Sequence, residues 1–126
     1  MKIKTIEWWN KIKKDNETQV TAAEGDNVLL INGVAFLIQR KNNWNNVVCI
    51  RVKTSKKSIL QTFNTFREYC ADNDIQYFRV EGISHTYKML ELVKRIGIKK
   101  GIDCNVVFAP QESAEYNRHI YYVKSY

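Results

Sequence analysis

The side chains best suited to acid–base chemistry are Glu81 and His85. Glu81 ends a predicted strand over 75–81, and His85 lies just beyond it. Either group is able to take a proton from a substrate if its pKa lies near the working pH. Two other interpretations stay open, because Glu81 is also explained as a solvated strand end and His85 as a helix-start residue that makes a local hydrogen bond.

A second candidate site is the start of a predicted helix over 55–73, which carries Lys56, Lys57 and Ser58. Lysines beside the amide groups of a helix N-terminus attract anions such as phosphate. Ser55 is the expected N-cap of this helix, because a serine hydroxyl accepts a hydrogen bond from the first turn. Lys56, Lys57 and Ser58 are therefore the candidate cofactor-binding residues.

The cysteines and histidines predict no metal site. Cys49, Cys70 and Cys104 form no CxxC pair, and neither histidine has a partner at metal-ligand spacing. Cys49 and Cys70 are expected in the core, since free cysteine behaves as a small apolar side chain. An odd number of cysteines without a signal peptide predicts a reducing compartment, hence the cytoplasm. No apolar run approaches the ~20 residues of a membrane span, so no membrane association is expected.

The charge is concentrated rather than evenly spread. The chain has 126 residues, which fits one domain over 1–126, and its net charge is +7. Basic residues dominate three segments, 1–14, 40–57 and 88–101. Such patches attract nucleic acid, phosphorylated cofactors or acidic protein surfaces, although a soluble basic surface explains them as well.

Hydrophobic periodicity predicts an α/β fold with elements in the order αβββαβαββ. Asn32-Gly33 between two apolar runs predicts a hairpin with a type I′ turn. Gly97 is expected to stop the third helix. Two other segments are read as a weak strand and as a polar connection, namely 18–24 and 110–117. The predicted helices lie over 3–14, 55–73 and about 86–96. The remaining strands lie over 47–52, 75–81 and 104–109 and at the C-terminal HIYYVKSY. We expect a mixed, mostly antiparallel sheet with helices on both faces, in which 47–52 and 75–81 are adjacent and parallel.

The element order, and the segment 47–109 in particular, resembles the GNAT acetyltransferase family. The local match is HTYKMLELVKRIGIKKG, which is similar to the family's helix that ends in a glycine turn before the next strand. The stretch SKKSILQTFNTFREYCADNDIQYFRVEGISHTYKMLELVKRIG is also similar in layout to small GNAT-like proteins of short-tailed bacteriophages. Those proteins serve in virion assembly or as internal virion components, so this resemblance implies a structural or assembly role in the host cytoplasm or the virion.

The family's catalytic features are missing from the matching positions. The resemblance implies a glycine-rich loop that holds the pyrophosphate of acetyl-CoA, but the matching stretch KTSKKSILQ has no glycine. It also implies a carboxylate on the fourth strand, where VVCIRV has none. The family's tyrosine falls on Val93 and its cofactor-contacting asparagine on Thr86. We therefore expect no cofactor, or acetyl-CoA if the protein is an enzyme.

Three functions remain open. The favoured one is a non-catalytic GNAT-like protein that binds a protein partner through Trp8, Lys11 and Lys14, because Trp8 lies at the edge of the first helix's apolar face beside lysines. Trp8 is expected to be less buried than Trp9. The alternative is an acetyl-CoA-dependent N-acetyltransferase, and a weaker alternative is a nucleic-acid-binding accessory protein. The oligomeric state is left open.

The tyrosine-rich C-terminal strand adds a further candidate surface. Tyr121 and Tyr122 must point to opposite faces of the sheet, so at most one of them is a core residue. Exposed tyrosines near basic residues suit contacts with protein or nucleic acid. An aromatic strand that simply covers a sheet face is the alternative.

Overall fold

In the described part of the chain, three consecutive strands lie between the first and second helices, as predicted, and strands and helices alternate after the second helix. The computed structural model describes residues 1–13, 20–41, 44–82, 86–99 and 106–125. The strands within these ranges are β1 (Lys2–Lys4), β2 (Asn27–Ile31), β3 (Val34–Arg40), β4 (Asn45–Arg51), β5 (Tyr77–Gly82), β6 (Val106–Phe108) and β7 (His119–Lys124). The helices are α1 (Ile6–Ile12), α2 (Ile59–Asp72), α3 (Thr86–Lys99) and α4 (Pro110–Tyr116).

The strands form one mixed sheet in the order β1-β2-β3-β4-β5-β7-β6. Strands β4 and β5 are parallel and the other neighbouring pairs are antiparallel. A parallel pair needs a crossover, and α2 supplies it between β4 and β5. The prediction of a mixed, mostly antiparallel sheet with adjacent parallel strands at 47–52 and 75–81 is confirmed.

The β2–β3 hairpin turns at Asn32 and Gly33, as predicted. Both residues have positive φ, 49° and 81°, which a type I′ turn requires. The turn packs tightly against the chain that follows β4, because the backbone N–H of Val52 donates to the Gly33 carbonyl at 2.8 Å. The Asn32 side chain also donates to the Thr62 hydroxyl at 3.0 Å and ties the turn to α2.

Helices cover both faces of the sheet, as predicted. On one face, α2 and α3 pack over a core in which the rings of Phe36 and Phe66 stack with centroids 4.1 Å apart. Cys70 and Leu90 belong to this cluster. On the opposite face, α1 buries Trp9 completely against residues of β2, β3 and β4. The alternation of side chains along each strand divides the apolar residues between these two cores.

The predicted element order was wrong at two places, and the first is the N-terminus. A helix over 3–14 was expected, but Lys2–Lys4 forms β1 and pairs with β2. The helix begins only at Ile6, because the Thr5 hydroxyl accepts the Trp8 N–H at 3.1 Å and caps it.

The second error concerns the C-terminal third of the chain. The segment 110–117 was expected to be a polar connection, but it contains α4, which starts with Pro110 and stops at the left-handed Asn117. The expected stop at Gly97 was also wrong, since α3 continues to Lys99. Residues 20–24 of the expected weak strand lie outside strands.

Candidate functional site

The sheet carries a polar and aromatic surface on the same face as α1, across β5 and β7. Alternation along β5 places Tyr77, Arg79 and Glu81 on this face, while Phe78 and Val80 enter the opposite core. The Arg79 side chain is nearly buried, with 9% of its surface exposed. A buried guanidinium requires hydrogen-bonding partners, and the surrounding elements supply them.

Arg79 links residues from four parts of the fold. Its Nη1 donates to the Oδ1 of Asn46 in β4 at 2.8 Å, and its Nε donates to the carboxylate of Glu112 in α4. The Oε2 of Glu81 lies 3.9 Å from the Arg79 Nη1. The guanidinium carbon lies 5.9 Å from the centre of the Trp44 ring, within cation–π distance.

Glu112 extends this network to the exposed side of β7. The Tyr122 hydroxyl donates to the Glu112 Oε2 at 2.5 Å. Desolvation pushes the pKa of Glu112 upward, but the hydrogen bonds from Tyr122 and Arg79 and the guanidinium charge outweigh it, so this pKa lies below its usual value. The same hydrogen bond to Glu112 raises the pKa of Tyr122. Two exposed aromatic rings, Trp44 and Tyr122, are thereby connected through one arginine.

We call the exposed side chains of this surface the aromatic face: Trp44, Tyr77, Val107 and Tyr122. Their exposed fractions are 44%, 56%, 60% and 44% respectively. The strand register brings three of them into neighbouring positions, because Tyr122 pairs with Val107 and because Tyr77 pairs with Lys124, two residues after Tyr122. Large side chains left this exposed and this close together are typical of an interaction surface.

Of the two predicted acid–base candidates, Glu81 lies within the described residues. Glu81 lies beside the network, where its Oε1 contacts the Arg118 Nε at 3.4 Å and its Oε2 contacts Arg79. Both carboxylate oxygens therefore face guanidinium groups, and a substrate would have to displace them to reach this group. His85 lies outside the described residues.

The predicted cofactor-binding residues lie at the start of α2, where the first turn is capped by its own side chains. The Gln61 N–H donates to the Ser58 hydroxyl at 3.1 Å, and the Ser58 N–H donates to the Gln61 side chain at 3.0 Å. This is a capping box, so Ser58 and not Ser55 is the N-cap. The Lys57 N–H is also engaged, by the Ser55 hydroxyl at 3.1 Å.

The hydrogen bonds at the start of α2 show how well this turn could bind the pyrophosphate of acetyl-CoA. An anion held at a helix N-terminus needs backbone N–H groups that point toward it. Three amides of this segment, those of Lys57, Ser58 and Gln61, donate instead to neighbouring side chains. Lys56 and Lys57 are exposed and supply charge, but the amides of Lys57, Ser58 and Gln61 are engaged by side chains and are not directed at a phosphate.

Of the predicted partner-binding residues Trp8, Lys11 and Lys14, Trp8 is less exposed than the rings of the aromatic face. Trp8 is half-buried and packs against the second core cluster, with the Lys4 Nζ 5.3 Å from its ring centre. The prediction that Trp8 is less buried than Trp9 is confirmed, because Trp9 has no exposed surface. Lys11 is exposed, and Lys14 lies outside the described residues.

The two core cysteines are held in the thiol form. Cys49 and Cys70 are buried, and burial raises the pKa of both thiols, that of Cys70 to about 12. The described residues contain no group of three or more histidine, cysteine or acidic side chains able to hold a metal ion. No helix in the described ranges is long and apolar enough to cross a membrane.

Comparison with known proteins adds no relative, since no family model, curated protein or solved structure matches this chain. The site is therefore judged on its geometry. Sequence reasoning did not single out Trp44, Arg79 or Glu112. The alternation in YFRVEG was the available signal, because it places Arg79 on the same face as Tyr77 and Glu81.

Proposed function

We propose that this chain is a non-catalytic protein of GNAT-like architecture that acts by binding a partner through the aromatic face. The observation that carries the proposal is the link between Arg79 and two exposed rings. Arg79 lies against Trp44 and bonds Glu112, which in turn holds the Tyr122 hydroxyl. Aromatic side chains held in place before binding lose little conformational entropy when a partner arrives, which makes them effective anchors.

The resemblance to the GNAT family supports the architecture in this proposal. It implies a parallel pair of central strands joined by a helix, and β4, α2 and β5 have that arrangement. A role in virion assembly, in the host cytoplasm or the virion of a short-tailed phage, is the biological setting that this resemblance implies.

Two features of the site favour binding over catalysis. The capping box at the start of α2 engages the amides of Ser58 and Gln61, whereas an acetyl-CoA loop directs such amides to phosphate. Glu81 has both oxygens engaged by arginines instead of facing a substrate. Fold alone does not decide function, so these local features carry more weight than the family's usual activity.

An acetyl-CoA-dependent N-acetyltransferase is the second candidate. Lys56 and Lys57 are exposed at the start of α2, and Glu81 lies near the end of β5, next to the parallel strand β4. In this alternative the two lysines attract the cofactor's phosphates and Glu81 removes the proton of the acceptor amine. No other side chain of the described site has a role in it.

Thermal melts with acetyl-CoA separate the two candidates. A ligand that binds the native state stabilises it by RT ln(1 + [L]/Kd), so the melting temperature rises with the logarithm of its concentration once that exceeds Kd. We expect no shift at millimolar acetyl-CoA in the wild type. An upward shift that grows with acetyl-CoA concentration, is lost in a Lys56→Ala/Lys57→Ala variant and is kept in the Lys11→Ala control would replace the proposal with the enzyme alternative.

A further inference from the structure

We infer that the occupant of the aromatic face is a single-stranded nucleic acid, whose bases stack on Trp44, Tyr77 and Tyr122. This inference rests on the proposed function, because it names the partner of the same surface. Proteins that bind single strands combine exposed aromatic rings with nearby cationic side chains. A sheet whose outward rings stack bases is one of the common solutions.

The strand register sets the spacing of the rings. Tyr77 pairs with Lys124, and Tyr122 lies two residues before Lys124 on the same strand. Tyr77 and Tyr122 are therefore diagonal neighbours, roughly 7–8 Å apart at the backbone. Arg79 lies between Tyr122 and Trp44, since it pairs with the former and contacts the ring of the latter. The three rings follow one another across β7, β5 and the turn before β4.

The charges around the rings suit a phosphate backbone. Lys124 pairs with Tyr77 at one end of the face and supplies a positive charge there, while Arg118 at the other end balances the charge of Glu81. The two carboxylates of the surface repel an anion only weakly, because each is paired with a guanidinium group. Glu112 is bonded to Arg79, and Glu81 contacts Arg118. The net charge of +7 adds a long-range attraction for any polyanion.

A single strand fits this face better than a duplex or a protein. The bases of a duplex are stacked inside the helix and cannot reach rings on a flat sheet, whereas the bases of a single strand can turn outward. A protein partner would favour a continuous apolar centre. Here the aliphatic contribution is Val107, and the tyrosines alternate with charged residues across the strands.

The test measures the fluorescence anisotropy of labelled oligo(dT) and oligo(U) of about 12 nucleotides, within the usual range of site sizes. We expect saturable binding that weakens between about 50 and 200 mM salt, since phosphate contacts release counterions. Trp44→Ala and Tyr77→Ala should each weaken binding about fivefold or more. Leu92→Ala is the matched control, because Leu92 is also exposed, at 39%, but lies on α3 on the opposite side of the sheet.

Tryptophan emission gives a second readout that does not depend on stability. Trp44 is the most exposed of the three tryptophans, Trp9 is buried and Trp8 half-buried. Base stacking should quench the wild-type emission. Trp44→Phe keeps an aromatic platform, so it should bind within about threefold of wild type while losing the quench. Quenching that persists in Trp44→Phe contradicts the assignment.

Three outcomes overturn the inference. Equal affinity for duplex and single strand, unchanged by Trp44→Ala, means that charge alone drives binding. If the Lys53→Gln/Lys57→Gln variant loses binding while Trp44→Ala keeps it, the nucleic acid binds at the basic end near the hairpin turn and not at the aromatic face. No binding at about 50 mM salt leaves the aromatic face as a protein-binding surface. In this last case the proposed function stands if acetyl-CoA also fails to raise the melting temperature, so the two failures are distinguishable.

Discussion

Arg79 and Trp44 are in contact across the sheet, with the guanidinium carbon 5.9 Å from the centre of the indole ring. The contact joins the turn before β4 to the middle of β5. Because the same guanidinium also bonds Asn46 and Glu112, one buried side chain fixes the position of an exposed ring. The aromatic face therefore depends on a residue that is itself nearly hidden from solvent.

Replacing Arg79 with lysine should break this arrangement. Lysine has a point charge and no planar fork, so it cannot bond Asn46, bond Glu112 and lie against Trp44 together. We expect Arg79→Lys to lower the free energy of unfolding by about 1–3 kcal/mol, the usual value of lost charged hydrogen bonds. Denaturant titration measures the loss, with the exposed Arg95→Lys in α3 as the control. Equal stability of the two variants would show that Arg79 does not organise the site.

The Glu112 carboxylate should make stability depend on acid pH. Its pKa is lowered in the folded protein, so its contribution is fully present above the usual glutamate value of about 4.3 and is lost as pH falls through the lower, folded value. Glu112→Gln should therefore reduce stability near neutral pH and flatten the acid limb of the stability curve. The control is Glu115→Gln, an exposed residue of the same helix, which should follow the wild type. An unchanged acid limb in Glu112→Gln contradicts the assigned ion pair.

The same network predicts a second limit at alkaline pH. The pKa of Tyr122 is raised by its hydrogen bond to Glu112, so its contribution is present below the usual tyrosine value of about 10 and is lost as pH rises through the folded value. Tyr122→Phe should remove this alkaline loss. A stability curve followed by circular dichroism between about pH 3 and 11 covers both limits.

The capping box at α2 should contribute measurably to stability. Ser58→Ala removes the hydroxyl that accepts a hydrogen bond from the Gln61 N–H. It should lower the free energy of unfolding by about 1 kcal/mol. Ser55→Ala is the matched control, since Ser55 stands outside the helix and should cost less. If instead Ser55→Ala is the more damaging change, the helix begins earlier than described, and the argument against a phosphate cradle at this turn fails.

The two adjacent tryptophans of α1 should differ in their effect on folding. Trp9 is completely buried and its indole N–H donates to the Val20 carbonyl at 2.9 Å. Trp9→Ala should therefore lower the free energy of unfolding by about 3–5 kcal/mol. Trp8→Ala should lower it clearly less, because Trp8 is half-buried. Chemical denaturation of both variants makes the comparison. Equal costs would make Trp8 a core residue and remove it as a candidate partner contact.

Much of the sheet could be predicted because its signals are local. The Asn32-Gly33 turn follows from two adjacent residues, and the buried face of α2 follows from the spacing of Phe63, Phe66 and Cys70. Strand β1 could not be predicted this way. It has three residues, and its existence depends on pairing with β2, more than 20 residues away. Helix α4 is short and polar, and it is held by Ser113, whose hydroxyl accepts the Ile120 N–H at 2.9 Å.

The candidate site was harder to predict than the fold. Glu81 was chosen for its chemistry and does lie beside the network, but its arginine partners come from β5 itself and from the turn before β7. The centre of the site needs the register of three strands and the position of α4, because Arg79, Asn46 and Glu112 are distant in sequence. No spacing rule along one element brings these three residues together.

Calorimetric titration of acetyl-CoA into the wild-type protein tests the central claim most directly. The claim is that the chain binds a partner and is not an acetyl-CoA enzyme, since the first turn of α2 is capped by Ser58 and Gln61. We predict no saturable heat at acetyl-CoA concentrations up to about 1 mM, the weak end of specific ligand affinity. A saturating isotherm with one site per chain, abolished by Lys56→Ala/Lys57→Ala, would contradict the account.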